Sequence, residues 1–142
     1  MSAQFVHESA VTGEGTHIGH FSVIHEGARI GRECIIGSGV VIHADTVVGS
    51  HVRVDDHAVL GKEPMRTKAI AIPQSSDLAP LEIGDGTLVG TGATLYRGAR
   101  IGKGCLIADY ASVREESTIG RDTIIGRGTV VENRVKIGNR CK

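Results

Sequence analysis

Large aromatic side chains are nearly missing from this sequence of 142 residues, which has two Phe, two Tyr and no Trp. A core built around rings is thereby excluded, and the interior must be narrow and filled by Ile, Val, Leu, Ala and Thr. An excess of charge is missing too. Sixteen basic and sixteen acidic residues cancel, and no segment carries a run of one sign. Binding to nucleic acid or to a membrane surface through bulk charge is therefore disfavoured. No apolar run approaches the roughly 20 residues of a membrane span, and Met1 to His7 forms no basic and apolar signal segment. The cytoplasm is the expected compartment, and the length is that of a single domain spanning 1–142.

What is present is a period of six. From Val6 through Ile18, Ile24, Ile30, Ile36 and Ile42 to Leu60, and again from Ile83 through Leu95, Ile107 and Val113 to Ile137, every sixth residue is a branched aliphatic, Thr12 excepted. Four residues after each comes something small, such as Ala28, Cys34, Ala93 or Ser117. Neither a helix nor an alternating strand keeps one residue type in phase at six, so the pattern predicts a solenoid. Each hexad reads as a short extended segment with two inward residues and a glycine-tolerant turn. Three hexads close a triangular coil, and stacked coils pair their strands in parallel at about 4.8 Å. The expected fold is all-β, a parallel β-helix of about six and a half coils.

Arithmetic assigns each hexad to one of three sides. On the second side the residue after the aliphatic is always glycine, from Gly13 and Gly31 to Gly120 and Gly138. On the first side it is His7, His25, His43, Gly61, Tyr96, Arg114 and Glu132. The period breaks once, between Leu60 and Ile83, and a long loop at residues 62–82 holds Pro64, Pro73 and Pro80 but no glycine. It leaves from the corner of the first side, the same edge that exchanges glycine for functional side chains. A tolerated insertion is the bland alternative, but long loops in compact domains are usually functional. The three cysteines, Cys34, Cys105 and Cys141, all take the small inward slot several coils apart, which predicts buried free thiols and no disulfide.

Candidate chemistry therefore gathers on one edge. His43 sits one coil before the loop and Tyr96 one coil after it, so the two flank its root, and a partly covered histidine suits a general base near neutral pH. Lys62, Arg66 and Lys68 supply cations for phosphate. Arg114 suits a phosphate or carboxylate fork, with Glu115 beside it, while Glu132 and Asn133 suit sugar hydroxyls or an amino group. The competing readings are a solvated histidine ladder and an exposed Arg to Glu ladder between coils, for which Glu116 is the better candidate.

Runs such as IGRECIIGSGVVI, IGDGTLVGTGATL and IGKGCLIADYASV resemble the bacterial hexapeptide-repeat transferases over nearly the whole chain. That resemblance implies a left-handed prism. The GKEPMR loop start, the GDGTLVGTGA exit and the SVREESTIGRDTIIGRGTVVEN run are most similar to nucleotide-sugar N-acetyltransferases. The resemblance implies acetyl transfer from acetyl-CoA to the amine of a nucleotide-linked sugar, in a groove between adjacent prisms of a homotrimer. His43 is the candidate base, and no metal is expected. Members sharing this loop look longer, so a truncated chain is expected, with an inactive trimerising prism as the alternative function. The run IGHFSVIHEG resembles the histidine pair of γ-class carbonic anhydrases at His20 and His25, but no third ligand follows from the sequence.

Overall fold

The computed structural model describes residues 3–69 and 77–142. Twenty short strands, most of two residues, fall into three parallel sheets of seven, seven and six strands. They form six coils and two sides of a seventh, wound as a left-handed parallel β-helix. Register is constant wherever the period is unbroken: Val23 pairs with Val41, Ile30 with Val48 and Ile107 with Ile125. A two-residue strand has no stability of its own. It persists because each inward aliphatic is buried between its counterparts above and below, at roughly 1.5–3 kcal/mol per fully buried side chain. Ile24, Ile42, Leu60, Leu95, Ile107 and Val113 are all completely buried.

The small inward residues do more than fill space. Thr87 donates its hydroxyl to the carbonyl of Gly102, fifteen residues on, and accepts the amide of Cys105, eighteen residues on. Thr16, Ser22, Ser117 and Thr123 repeat this pair of bonds. Buried Cys34 and Cys105 imitate the donor half, their thiols facing the carbonyls of Gly49 at 3.1 Å and Gly120 at 3.0 Å. Burial pushes the Cys105 thiol upward. Cys141 departs from the expectation: it is exposed, because no coil of the structure lies above its slot.

The glycines of the second side answer to crowding and not to backbone angle. A Cβ at Gly84 or Gly102 would stand 2.6 or 2.7 Å from the backbone nitrogen of the next coil. Positive φ falls two residues later in the turn, where Glu33, His51, Asp122 and Arg140 adopt it as well as glycines.

The excursion is shorter than the expected 62–82. Lys62 belongs to the strand Val59–Lys62 and Glu82 to the strand Glu82–Ile83. Gly61, at φ +83°, makes a bulge that brings Lys62 into register with Tyr96. Leu81 is fully buried in a slot that elsewhere takes Ala, Ser, Thr, Cys or Val, so the chain is back in the core before the strand resumes. The part of the expected loop at 70–76, Pro73 included, lies outside the described residues.

The bulge has a local cost at Thr46. Among the described residues its buried hydroxyl is the side-chain oxygen with no hydrogen-bond partner. Its counterpart acceptor would be the carbonyl of Gly61, but there the backbone is turned, and the hydroxyl sits where a Cβ on Gly61 would stand. Thr87→Val should therefore destabilise by ~1–3 kcal/mol, because a carbonyl and an amide lose their partner, whereas Thr46→Val should be neutral or stabilising. Paired chemical denaturation curves test this, and equal losses in the two variants would mean that Thr46 is bonded after all.

Candidate functional site

Sheet order stacks the edge residues in one column. The strand Val41–Ile42 leads into His43, Val59–Lys62 into the excursion, Thr94–Tyr96 ends on Tyr96, and Ser112–Val113 and Val130–Val131 lead into Arg114 and Glu132. His43 and Tyr96 thus share a vertex. Gly61 lies between them, and with no side chain of its own it leaves the column open at that level.

The imidazole of His43 stacks on that of His25 with centroids 5.4 Å apart and planes within 8°. It is half-buried, and its pKa is lowered from the ordinary 6.5 first by that burial and then by the neighbouring His25. Glu63 pulls it upward and Lys62 slightly down. A histidine so placed is neutral at pH 7 and can accept a proton.

Across the gap, Tyr96 is held between two cations from the adjoining coils. Lys62 Nζ lies 5.5 Å from the ring centroid and the Arg114 guanidinium carbon 5.3 Å. Such contacts orient the ring and keep both side chains at the edge. Arg114 is itself occupied. Its Nε and Nη2 donate to the two carboxylate oxygens of Glu115 at 3.0 and 3.2 Å, and Nη1 lies 3.5 Å from Glu132. Burial works against the Arg114 charge, but Glu115, Tyr96 and Glu132 outweigh it and raise the pKa. Glu115 is only 3% exposed, a buried carboxylate facing a fixed partner. The Arg114–Glu132 contact is a rung between neighbouring coils, as is Arg134–Glu116 at 3.0 Å. Asn133 is half-buried beyond Glu132 on the same edge, and Arg66 is exposed in the excursion.

Arg97 was not singled out in the sequence, yet it joins more of this corner than its neighbours do. Its side chain bonds the carbonyls of Leu78 and Ala44 and lies near Asp45 and Glu63. One signal was available. The position after the first-side edge residue is acidic or neutral at Glu8, Glu26, Ala44, Glu115 and Asn133, and it turns basic only at Lys62 and Arg97, in the two coils that flank the loop.

Among the described residues no three His, Cys, Asp or Glu side chains converge as metal ligands. His20 and His25 stand at different corners, one after the strand His17–Ile18 and one after Val23–Ile24, in separate sheets. Among the described residues no helix is long and apolar enough to cross a membrane. A depression of about 670 Å³ lies on the second face, lined by Val47, Glu82, Asp85, Arg100, Lys103 and Thr118, and none of the edge residues borders it.

Two family models match the chain: "Bacterial transferase hexapeptide (six repeats)" over residues 9–44 and "Hexapeptide repeat of succinyl-transferase" over 80–108. No curated protein matches at a significant level. Among solved structures, a variant of GDP-perosamine N-acetyltransferase from Caulobacter crescentus, in complex with CoA and GDP-perosamine, is 21% identical with a TM-score of 0.68. That match covers 96% of this chain and 53% of the other. UDP-N-acetylglucosamine acyltransferase from Francisella novicida is 22% identical with a TM-score of 0.62, over 92% of this chain and 62% of that one. A Bacillus cereus protein described as a putative acetyltransferase is 20% identical with a TM-score of 0.64, over 99% and 76%. The chain thus spans about half the length of the first of these, and the likeness establishes the fold.

Proposed function

We propose, from the hexapeptide-repeat matches over residues 9–44 and 80–108 and the left-handed β-helix fold, that the chain transfers an acetyl group from acetyl-CoA to the amine of a nucleotide-linked amino sugar. The observation that carries this reading is the pairing, at one vertex, of a neutral, half-buried His43 with a Tyr96 held between Lys62 and Arg114. CoA with GDP-perosamine, bound by a protein of this fold, supports the choice of substrates.

Transfer requires a free amine within reach of the thioester carbonyl, donors for the oxyanion that forms, and a path for the proton. The amine nitrogen attacks the carbonyl carbon, the tetrahedral intermediate collapses, and the carbon–sulfur bond breaks to release CoA thiolate. His43 takes the proton the amine sheds and can return it to the departing sulfur. Lys62 and Arg66 supply positive charge for the diphosphate. Arg114, already engaged by Glu115 and Glu132, serves by holding the Tyr96 ring and not as the principal phosphate ligand.

A vertex of a prism is convex, so this edge becomes a cleft only against a second body. A homotrimer supplies one. The first face, which runs up to this edge, turns Phe5, Val41, Val59 and Val130 outward and carries no charge on its strands except Lys62. The second face, by contrast, shows Arg29, Glu82, Arg100 and Lys136.

Incubation with acetyl-CoA and a panel of amino-sugar nucleotides, followed by free-thiol detection and mass analysis of the sugar product, tests the reading. Thiol release that depends on the acceptor, with a 42 Da gain on the sugar expected for N-acetylation, supports it. A purified protein giving neither leaves a prism without this activity.

A further inference from the structure

Arg97 gathers three stretches of chain that are far apart in sequence. Nη1 donates to the carbonyl of Ala44 at 3.0 Å, the residue next to His43, and Nη2 lies 3.6 Å from the Asp45 carboxylate. Nε donates to the carbonyl of Leu78 at 3.1 Å, at the returning end of the excursion, and lies 3.7 Å from Glu63 at the outgoing end. Its own backbone amide donates to the carbonyl of Lys62 at 2.9 Å. The side chain is 19% exposed, so these bonds are made largely out of water. Beside it Gly98, at φ +91°, leaves room for Leu78, whose Cδ2 would stand 3.2 Å from a Cβ placed there.

The carboxylates alone would not explain the arrangement. Asp45 and Glu63 are well exposed, and such pairs contribute little. The two backbone carbonyls are different, because they need donors diverging from one rigid plane. A guanidinium provides that and an ammonium does not.

We propose that Arg97 is a positioning residue, which fastens both ends of the excursion to the corner carrying His43 and thereby sets the spacing between His43 and the Lys62–Tyr96 pair. The geometric claim stands by itself, and its kinetic consequence rests on the acetyl-transfer reading. The bulge at Gly61 breaks the regular ladder and strands the Thr46 hydroxyl, so the stacked coils do not hold this corner in their usual way. Arg97 bridges the gap where the repeat fails.

Hydrogen exchange followed by mass spectrometry on the full chain reads this directly. In Arg97→Met, segments 43–47, 60–69 and 77–83 should exchange at least ~tenfold faster, with segments 18–36 and 106–125 unchanged. Arg97→Lys should fall between, and Arg100→Met, on the same coil, should match the wild type. Unchanged exchange at the two ends of the excursion, or acceleration spread through every coil, overturns the proposal. In the acetyl-transfer assay Arg97→Met should raise KM for the amino-sugar nucleotide ~tenfold with a smaller change in kcat. A fall in kcat at constant KM would instead report a loss of folded molecules and count against positioning. Should the wild type transfer no acetyl group, the functional reading fails while the exchange data still decide the role of Arg97.

Discussion

His43→Ala lowers the rate of acceptor-dependent thiol release from acetyl-CoA by at least ~tenfold, the lower end of what a general base contributes. The loss should appear in kcat and kcat/KM together, because the proton is shared only as the carbon–nitrogen bond forms. Folding should be little affected. The ring is half-buried and stacks on that of His25. The pH dependence distinguishes a base from a mere lining residue. The folded-state pKa of His43 lies below 6.5, so the neutral imidazole persists as pH falls past that value and the acid limb belonging to His43 appears only at lower pH. Stability follows the same sign. Between the depressed folded value and 6.5 the unfolded chain binds the proton more tightly, so the wild type loses stability as pH falls through that window. His43→Ala lacks that titration, and its melting temperature should converge on the wild type, or pass it, at the acid end. Equal rates in the two proteins at neutral pH would take His43 out of the chemistry.

Arg114→Ala should cost ~3–5 kcal/mol of stability at neutral pH, because it leaves the carboxylate of Glu115 buried without its partner. Glu115 is 3% exposed and takes both of its short bonds from this guanidinium. Glu132 is largely exposed, so Glu132→Ala should cost less than ~1 kcal/mol although it too pairs with Arg114. The double variant Arg114→Met with Glu115→Leu removes charge from both sides and should recover most of the loss. Urea denaturation of the four proteins gives the comparison, and an Arg114→Ala variant as stable as Glu132→Ala would show that Glu115 finds water or another donor. The same series separates folding from function. The double variant should keep the fold but removes one of the two cations facing Tyr96, so a remaining loss of acetyl transfer can be assigned to the edge itself.

The placement of His43 and Tyr96 on one vertex was legible from counting alone, because a period of six with three sides per coil leaves no freedom in which residues stack. Glu116 was legible as a rung for the same reason. The occupied state of Arg114 was not, since a repeat rule says where a Cα stands and not which carboxylate its guanidinium reaches. Arg97 was missed on similar grounds: its partners Ala44, Glu63 and Leu78 meet only because the excursion leaves and re-enters at one corner. The cysteine rule held for Cys34 and Cys105, which have a coil above them, and failed for Cys141, which has none in the structure.

Periodicity by itself determined the core, the three walls and the edge along which polar chemistry gathers, because burying one aliphatic in every six residues fixes which residues share a wall, though not the hand of the winding. Tertiary structure alone decided how the repeat is broken. The bulge at Gly61 stranded the Thr46 hydroxyl, drew Lys62 beside Tyr96, and left Arg97 to join the ends. Those outcomes depend on hydrogen bonds between segments as much as 53 residues apart, and no spacing rule along the chain encodes them.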